Sequence, residues 1–135
     1  MERFKVAIVI PAFNEEKTIK KVVNSVSAYG LVIVVDDCST DETADIAKKN
    51  GALVVEHDSN KGYDKALDSG FSKVNELELD AIITFDADGQ HDTNAIPKFI
   101  EEMERGYDMV LGVRPKTQRA SETIFKIILK AFYGW

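Results

Sequence analysis

The sequence predicts an α/β domain, specifically a three-layer α/β/α sandwich with a mainly parallel central sheet. Short β-branched runs alternate with helical patterns along the chain, the order expected when a crossover helix follows each strand. These runs are apolar almost throughout, as parallel strands buried on both faces should be. With 135 residues, 44% of them hydrophobic, the chain is long enough for one core, so we expect a single domain over 1–135.

Five apolar runs have the composition of strands, and turn residues separate them from the segments that follow. Because parallel strands end at the same edge of a sheet, the residues that follow them are expected to share one rim, where ligands of α/β proteins bind. The predicted strands are 6–10, 31–35, 53–56, 81–85 and 109–113.

Helices are predicted between these strands. Apolar residues recur at i, i+3, i+4 and i+7 within 19–26 and again within 96–103, which is the spacing of one helix face. Each pattern stops before a glycine, Gly30 or Gly106, a residue that commonly ends helices. The segment 41–50 also stops before a glycine, Gly51, and is predicted to be a third helix.

Charge and composition exclude several classes of partner. The net charge is -6 at pH 7 and no cluster of Lys and Arg follows a strand or helix, so a nucleic acid polymer is not expected to bind. The single cysteine, Cys38, excludes an internal disulfide, and the charged segment 1–5 does not start a secretory signal. No apolar run approaches the roughly 18 residues that cross a bilayer. We expect a cytoplasmic location, with the cytoplasmic face of a membrane as the alternative.

The most informative motif is a pair of carboxylates after the fourth predicted strand. Asp86 and Asp88 are separated by one residue and followed by Gly89, so they are expected where the strand breaks into a loop. Oxygen ligands from one short loop suit Mg²⁺ or Mn²⁺, which retain waters and bind substrate phosphates. The sequence therefore predicts a divalent metal site and a phosphorylated substrate, with a solvated acidic turn as the alternative.

Polar segments also follow the other predicted strands, at 11–15, 36–41 and 60–62. The chain has neither a glycine-rich dinucleotide turn nor a Gly-Lys-Ser/Thr phosphate loop. A metal at Asp88, with Arg114 after the fifth strand, is therefore the expected means of holding phosphates.

In this order the motifs resemble the family 2 glycosyltransferases of GT-A fold, most of all the dolichyl- or polyprenyl-phosphate mannosyl- and glucosyltransferase group. Any one string is a weak signal, but five in the right order at strand ends are specific and span nearly the whole chain. The matching strings are VIPAFNEE (9–16), VVDDCSTDET (34–43), NKG (60–62), FDADGQH (85–91) and LGVR (111–114).

The resemblance implies a pocket for a nucleotide diphosphate sugar. In it, Glu15 would contact the ribose or base edge, Val35 and Asp37 the nucleobase, and Arg114 the diphosphate. A carboxylate accepts hydrogen bonds from base imino or amino groups, so Asp37 suits base selection. The pocket residues that the resemblance implies are Pro11, Phe13, Glu15, Val35, Asp37, Asp86, Ala87 and Arg114.

The implied reaction is metal-dependent hexose transfer with inversion, from a donor of GDP-mannose or UDP-glucose type. The implied metal ligands are Asp88, Asp86 and Gln90, and Asp88 and Asp86 are the implied catalytic residues. A phosphate monoester is largely ionised at neutral pH, since its second pKa is about 6, and therefore needs no general base. We expect a polyprenyl or dolichyl phosphate acceptor, with a cell-surface glycan as the alternative.

The sequence also predicts the roles of several single residues. Relatives commonly have glycine at the positions of Cys38 and Asp64, so a differently shaped loop is expected around Asp64. Cys38 has acidic neighbours and no nearby His, which argues against a nucleophile. His57 and His91 are expected to be structural or surface groups, with His91 a minor candidate for the acceptor site.

Helix capping is the competing role for the acidic residues after the second strand. Ser39, Thr40 and Asp41 suit this role at the start of the helix over 41–50, which would leave Asp37 free for ligand.

The C-terminal segment 124–133 is helical in composition and apolar around most of its circumference, with Lys126 and Lys130 on one narrow polar stripe. The apolar surface of such a helix must be buried. It could pack against the sheet, against a membrane surface or against a second copy in a homodimer. The greater length of the resembled family implies a C-terminally truncated catalytic domain, so the activity of this piece is left open.

Three other functions remain open. A haloacid-dehalogenase-like phosphatase also has Asp-x-Asp-Gly at a strand end, but normally after the first strand and with Thr or Val in place of Gln90. A receiver-type signalling domain would explain the acids after the second and fourth strands, but leaves 11–15 and Asp88 unexplained. A nucleotide-sugar-binding fragment without turnover fits the same motifs.

Overall fold

The computed structural model describes residues 4–89, 92–112 and 125–128. Its central sheet has four strands in the order β3-β2-β1-β4, and every neighbouring pair is parallel, as predicted. Pro11 and Ala12 extend the first strand beyond the predicted bounds and pair with the end of the second. The strands are β1 (Val6–Ala12), β2 (Leu31–Asp36), β3 (Leu53–Glu56) and β4 (Ala81–Thr84).

Helices cover both faces of this sheet, which confirms the three-layer sandwich. Alternate strand residues point to opposite faces, so Ile8 and Ile10 pack under α1, α2 and α4, whereas Val9 and Val35 pack under α3. The strands β1 and β4 are thus buried along their whole length and β2 is buried after Leu31, as their composition predicted, whereas the edge strand β3 is exposed or partly buried. The helices are α1 (Ile19–Val26), α2 (Thr43–Lys49), α3 (Tyr63–Glu76) and α4 (Ile96–Glu104).

The helix α3 is not among the predicted helices, and a loop was expected around Asp64. The chain instead enters α3 directly after Gly62, with Asp64 in the first helical turn. An acidic side chain at this place interacts favourably with the positive end of the helix dipole. The available signal was the i, i+4, i+8 spacing of Ala66, Gly70 and Val74, the three residues that α3 buries.

Two further strands, β5 (Met109–Gly112) and β6 (Phe125–Ile128), form an antiparallel pair, and β6 lies beside β4. The predicted helix over 124–133 is therefore wrong for Phe125–Ile128, while the remainder of that segment lies outside the described residues. A short β-branched segment fits a strand once another strand supplies hydrogen-bond partners, whatever its helical periodicity.

None of the helices in the described part of the chain is both long enough and apolar enough to span a bilayer.

Candidate functional site

A cleft of about 360 Å³ opens where β1, β2 and β4 end at their carboxyl edge. Open parallel sheets bind their ligands at this edge, so the cleft has the place expected of a functional site. The loops after these strands and the start of α3 form its walls. The lining residues are Pro11, Ala12, Phe13, Glu15, Asp37, Asn60, Gly62, Tyr63, Ala66, Asp86, Ala87 and Asp88.

Most of the residues predicted for the site meet in this cleft. Val35 does not line it, because it is fully buried on the face of the sheet that α3 covers. The expected contact of Val35 with a nucleobase is therefore not supported by its position. Gln90, His91 and Arg114 lie outside the described residues. The predicted residues that do line the cleft are Pro11, Phe13, Glu15, Asp37, Asp86, Ala87 and Asp88.

Five lining residues were not predicted as site residues. One is Ala12, the last residue of β1, and the other four lie in the loop after β3 and at the start of α3. Asn60 and Gly62 lie in the NKG motif, which was expected at a strand end but without a role in the site. Tyr63 and Ala66 belong to α3 itself, so they were missed together with the helix.

Hydrogen bonds join the loop after β1 to the loop after β2. The Asn14 N–H donates to Ser39 Oγ at 2.9 Å, and the Thr40 N–H donates to Asn14 Oδ1 at 2.8 Å. The Glu15 N–H donates to Thr43 Oγ1 at 2.9 Å. Asn14 has a φ of 52°, in the left-handed region that asparagine tolerates better than most residues. These bonds hold the loop that carries the aromatic and acidic lining residues of the cleft.

Two buried or half-buried carboxylates organise the loop after β2. Asp36 accepts hydrogen bonds from the Ser39 N–H at 3.1 Å and the Ser39 hydroxyl at 2.5 Å. Asp41 accepts from the N–H of Thr43 at 2.9 Å and also from its hydroxyl, at the first turn of α2. Of the three predicted capping residues, only Asp41 bonds to the first residue of α2, although Glu42 occupies the N-cap position itself, whereas Ser39 and Thr40 bond to groups outside the helix.

The Asp37 carboxylate lies at the end of β2 with its side chain only 7% exposed. Its Oδ1 accepts from the Lys61 N–H at 2.8 Å and lies 2.8 Å from His57 Nδ1, while Oδ2 accepts from the Gly62 N–H at 2.9 Å. Burial raises the pKa of Asp37, but these hydrogen bonds outweigh burial and hold the pKa below its usual value.

The expectation that Asp37 is wholly free for ligand is therefore wrong. A carboxylate has about four acceptor positions, and three of them already have partners within the protein. About one acceptor position, on Oδ2, is left for a group in the cleft.

Tyr63 contributes a second aromatic ring to the cleft and a bond to the acidic pair. Its hydroxyl donates to Asp86 Oδ1 at 3.2 Å. Partial burial of the phenol, together with the charge and hydrogen bond of Asp86, raises the pKa of Tyr63 to about 12. Tyr63 is therefore protonated at neutral pH and remains a hydrogen-bond donor.

The acidic pair lies on a turn, as predicted. The strand β4 ends at Thr84, and Gly89 follows the pair with a φ of +77°, a conformation that glycine adopts without strain. The Thr18 hydroxyl lies 2.6 Å from the Ala87 carbonyl oxygen and donates to it. This bond ties the turn to the residue that precedes α1.

Asp86 and Asp88 together offer hard oxygen ligands on one side of the cleft. Within residues 4–89, 92–112 and 125–128, no group of three or more His, Cys, Asp or Glu is arranged to hold a metal ion. Two carboxylates fit Mg²⁺ or Mn²⁺, because these ions complete their coordination with water and substrate phosphate oxygens. The donor set therefore matches an ion that is bound together with a phosphorylated substrate.

Comparisons with known proteins identify the family of the chain. The family model described as glycosyl transferase family 2 matches residues 7–133. The chain is 36% identical over 132 residues to the UDP-N-acetylglucosamine--dolichyl-phosphate N-acetylglucosaminyltransferase of Methanococcus voltae, covering 83% of this chain and 53% of that protein. It is 33% identical over 144 residues to the undecaprenyl-phosphate 4-deoxy-4-formamido-L-arabinose transferase of Enterobacter sp., covering 92% and 43%. The chain thus spans about half the length of these curated relatives.

Solved structures share the fold. Glucosyl-3-phosphoglycerate synthase from Mycobacterium tuberculosis, in complex with Mn²⁺, UDP and glucosyl-3-phosphoglycerate, superposes with a TM-score of 0.64 at 27% identity, covering 79% of this chain and 42% of that one. TarS from S. aureus superposes with a TM-score of 0.71 at 23% identity, covering 87% and 38%, a likeness of fold alone.

Proposed function

Because the chain belongs to glycosyl transferase family 2 and has a GT-A fold, we propose that it binds a nucleotide diphosphate sugar and transfers the hexose to a lipid phosphate. The observation that carries this proposal is that one cleft brings together Phe13, Glu15 and Asp37 with the Asp86 and Asp88 pair. The family assignment argues against the two alternatives of a phosphatase and a receiver domain.

The nucleoside end of the donor lies, in this proposal, against the loops after β1 and β2. Phe13 is 46% exposed, which leaves an aromatic face available for stacking on a base. Asp37 offers one remaining acceptor position to a base N–H, and Glu15, which also lines the cleft, is the proposed contact for the ribose hydroxyls or the base edge.

The diphosphate end lies at the turn after β4. Asp86 and Asp88 would hold Mg²⁺ or Mn²⁺ there, with Gln90 as a further proposed ligand and Arg114 as a proposed diphosphate contact. A bound divalent ion neutralises negative charge that develops on a leaving nucleoside diphosphate. The Mn²⁺ and UDP bound by the related mycobacterial synthase support this arrangement. Tyr63 holds the Asp86 side chain, and Thr18 holds the turn through the Ala87 carbonyl oxygen.

The proposed acceptor is a polyprenyl or dolichyl phosphate. Two curated relatives are named for transfer to dolichyl phosphate and undecaprenyl phosphate. An acceptor phosphate that is ionised at neutral pH attacks the anomeric carbon without giving up a proton, so no general base is required. A lipid acceptor also implies that the protein works at the cytoplasmic face of a membrane.

Thermal unfolding of the chain with UDP- and GDP-hexoses, in Mn²⁺ or in chelator, tests the proposal. A ligand that binds the folded state at a hundredfold excess over Kd stabilises it by about 2.7 kcal/mol, so Tm should rise with donor and Mn²⁺ together. Asp88→Ala should abolish this rise, and Asp108→Ala, which removes an exposed acid outside the cleft, should keep it. Equal stabilisation by the donor in chelator would contradict the proposed metal site.

A further inference from the structure

His57 links Asp37 to the helix α3 beneath the cleft. Its side chain is only 6% exposed. Its Nδ1 lies 2.8 Å from Asp37 Oδ1, and its Nε2 lies 2.8 Å from Ser69 Oγ. The backbone N–H of His57 donates to the Asp36 carbonyl oxygen at 2.9 Å. An imidazole that is buried and bonded at both nitrogens is held in a single orientation.

The direction of these hydrogen bonds follows from the Asp37 carboxylate. Its lowered pKa keeps Asp37 ionised at neutral pH, and an ionised carboxylate only accepts. Nδ1 of His57 must therefore carry a proton and donate to Asp37. In the neutral ring, Nε2 accepts from the Ser69 hydroxyl, so α3 supports the imidazole and the imidazole supports the carboxylate.

We propose that His57 is a positioning residue for nucleobase selection, which together with Ser69 aims the remaining acceptor position of Asp37 Oδ2 into the cleft. The inference rests on the proposed function, because it requires a nucleotide there. In this proposal the acceptor faces a ring nitrogen of the base. That nitrogen carries a proton in uracil and guanine, whereas in adenine and cytosine it carries a lone pair that repels a carboxylate.

This role is separate from the diphosphate end of the site. His57 and Asp37 follow β3 and β2, whereas Asp86 and Asp88 follow β4 on the other side of β1. Loss of the imidazole should therefore weaken recognition of the base and leave the binding of a metal-bound diphosphate group unchanged. General damage to the fold would weaken both together.

Calorimetric titration of the 135-residue chain with UDP, GDP, CDP, ADP and inorganic pyrophosphate, each with Mn²⁺, tests the inference. His57→Phe retains ring bulk and removes both nitrogens, and it should weaken the preferred nucleoside diphosphate about tenfold, as for the loss of one charged hydrogen bond. The preference among bases should shrink with it, and pyrophosphate affinity should stay constant. His57→Asn, whose amide N–H₂ can replace the Nδ1 donor, should restore most of the preference.

Ser69→Ala provides a second variant that removes only the far hydroxyl, and it should reduce the base preference about threefold. Equal losses for pyrophosphate and nucleotide, or an unchanged base preference in both His57→Phe and Ser69→Ala, would overturn the positioning role while leaving the proposed function standing. An unmodified chain that binds none of the four nucleotides would overturn the proposed function and this inference with it.

Discussion

Cys38 shows how one backbone angle determines which residue a position favours. Its φ of 64° lies in the left-handed region, where a residue with a Cβ is strained by about 1–2 kcal/mol and glycine is not. This strain explains why the family that the sequence resembles commonly has glycine at this position. Cys38 lies between Asp37, which faces the cleft, and Ser39, which bonds to Asp36.

We expect Cys38→Gly to raise the free energy of unfolding by up to about 1 kcal/mol, since relief of strain exceeds the entropy that glycine loses on folding. Cys38→Val should lower it by about 1 kcal/mol or more, because a β-branched residue tolerates this region least. Urea unfolding of the two variants beside Cys38→Ala measures the effect. A glycine variant less stable than the alanine variant would contradict the explanation.

Asp41 links stability to pH. Burial raises the pKa of Asp41, but bonds from the Thr43 hydroxyl, the Thr43 N–H and the Glu16 N–H outweigh burial and lower it. The folded pKa is thus below that of the unfolded chain, so the unfolded state binds more protons in acid. The stabilisation is complete above the usual value of 3.8 and is lost as pH falls through the lowered pKa. Asp37 has a shift of the same sign.

Asp41→Asn keeps an acceptor oxygen for the first turn of α2 but cannot titrate. We expect it to be less stable than the unmodified chain by about 1 kcal/mol at neutral pH, because hydrogen bonds to a charged group are the stronger ones. The difference should narrow as pH falls below the usual value of 3.8 and through the lowered pKa of the native carboxyl. Denaturant unfolding at neutral pH and at a pH below 3.8 measures the difference in stability. A difference that does not change with pH would contradict the proposed link between Asp41 and the pH dependence of stability.

At the level of elements, one glycine allows α3 to pack closely against the sheet. A Cβ at Gly70 would lie 2.4 Å from Val9 Cγ1 and 3.4 Å from Val35 Cγ2. Val9 is fully buried and β-branched, so it has no room to move aside. The close approach brings the first turn of α3, with Tyr63 and Ala66, to the cleft.

Gly70→Ala should therefore destabilise the protein by about 1–3 kcal/mol, although alanine favours a helix by about 1 kcal/mol over glycine. Ser72→Ala, at an exposed position of the same helix, is the matched control and should be neutral or slightly stabilising. Thermal unfolding distinguishes the two variants. If both gave the same Tm as the unmodified chain, α3 would not be limited by contact at Gly70.

Prediction of elements from sequence succeeded where the local pattern was strong and failed where it was weak. The helices α1 and α4 bury regularly spaced large residues such as Ile19 and Ile96, whereas the residues that α3 buries are small or medium-sized. For Phe125–Ile128, composition predicted a helix, and this was wrong because the segment pairs with β5 as a strand.

In the molecule as a whole, the cleft depends on contacts between segments that are distant in the chain. The bond between Thr18 and Ala87 joins residues 69 positions apart, and those from Lys61 and Gly62 to Asp37 span 24 and 25 positions. The same strand ends were expected to share one rim, because parallel strands leave the sheet on one side. Which side chains meet there, and which already have partners, depends on these distant contacts.

Local patterns in the chain were sufficient for the parallel three-layer architecture, the family and most residues of the cleft. Apolar runs, helical spacing and motifs at strand ends are properties of neighbouring residues, so they can be read without coordinates. Packing determined three features of the site that local patterns did not show: the hydrogen bonds of Asp37, the burial of Val35 and the bond from Tyr63 to Asp86. Each depends on residues far away in sequence. Side-chain hydrogen bonds and burial arise only when the elements come together, and there the role of His57 beside Asp37 becomes visible.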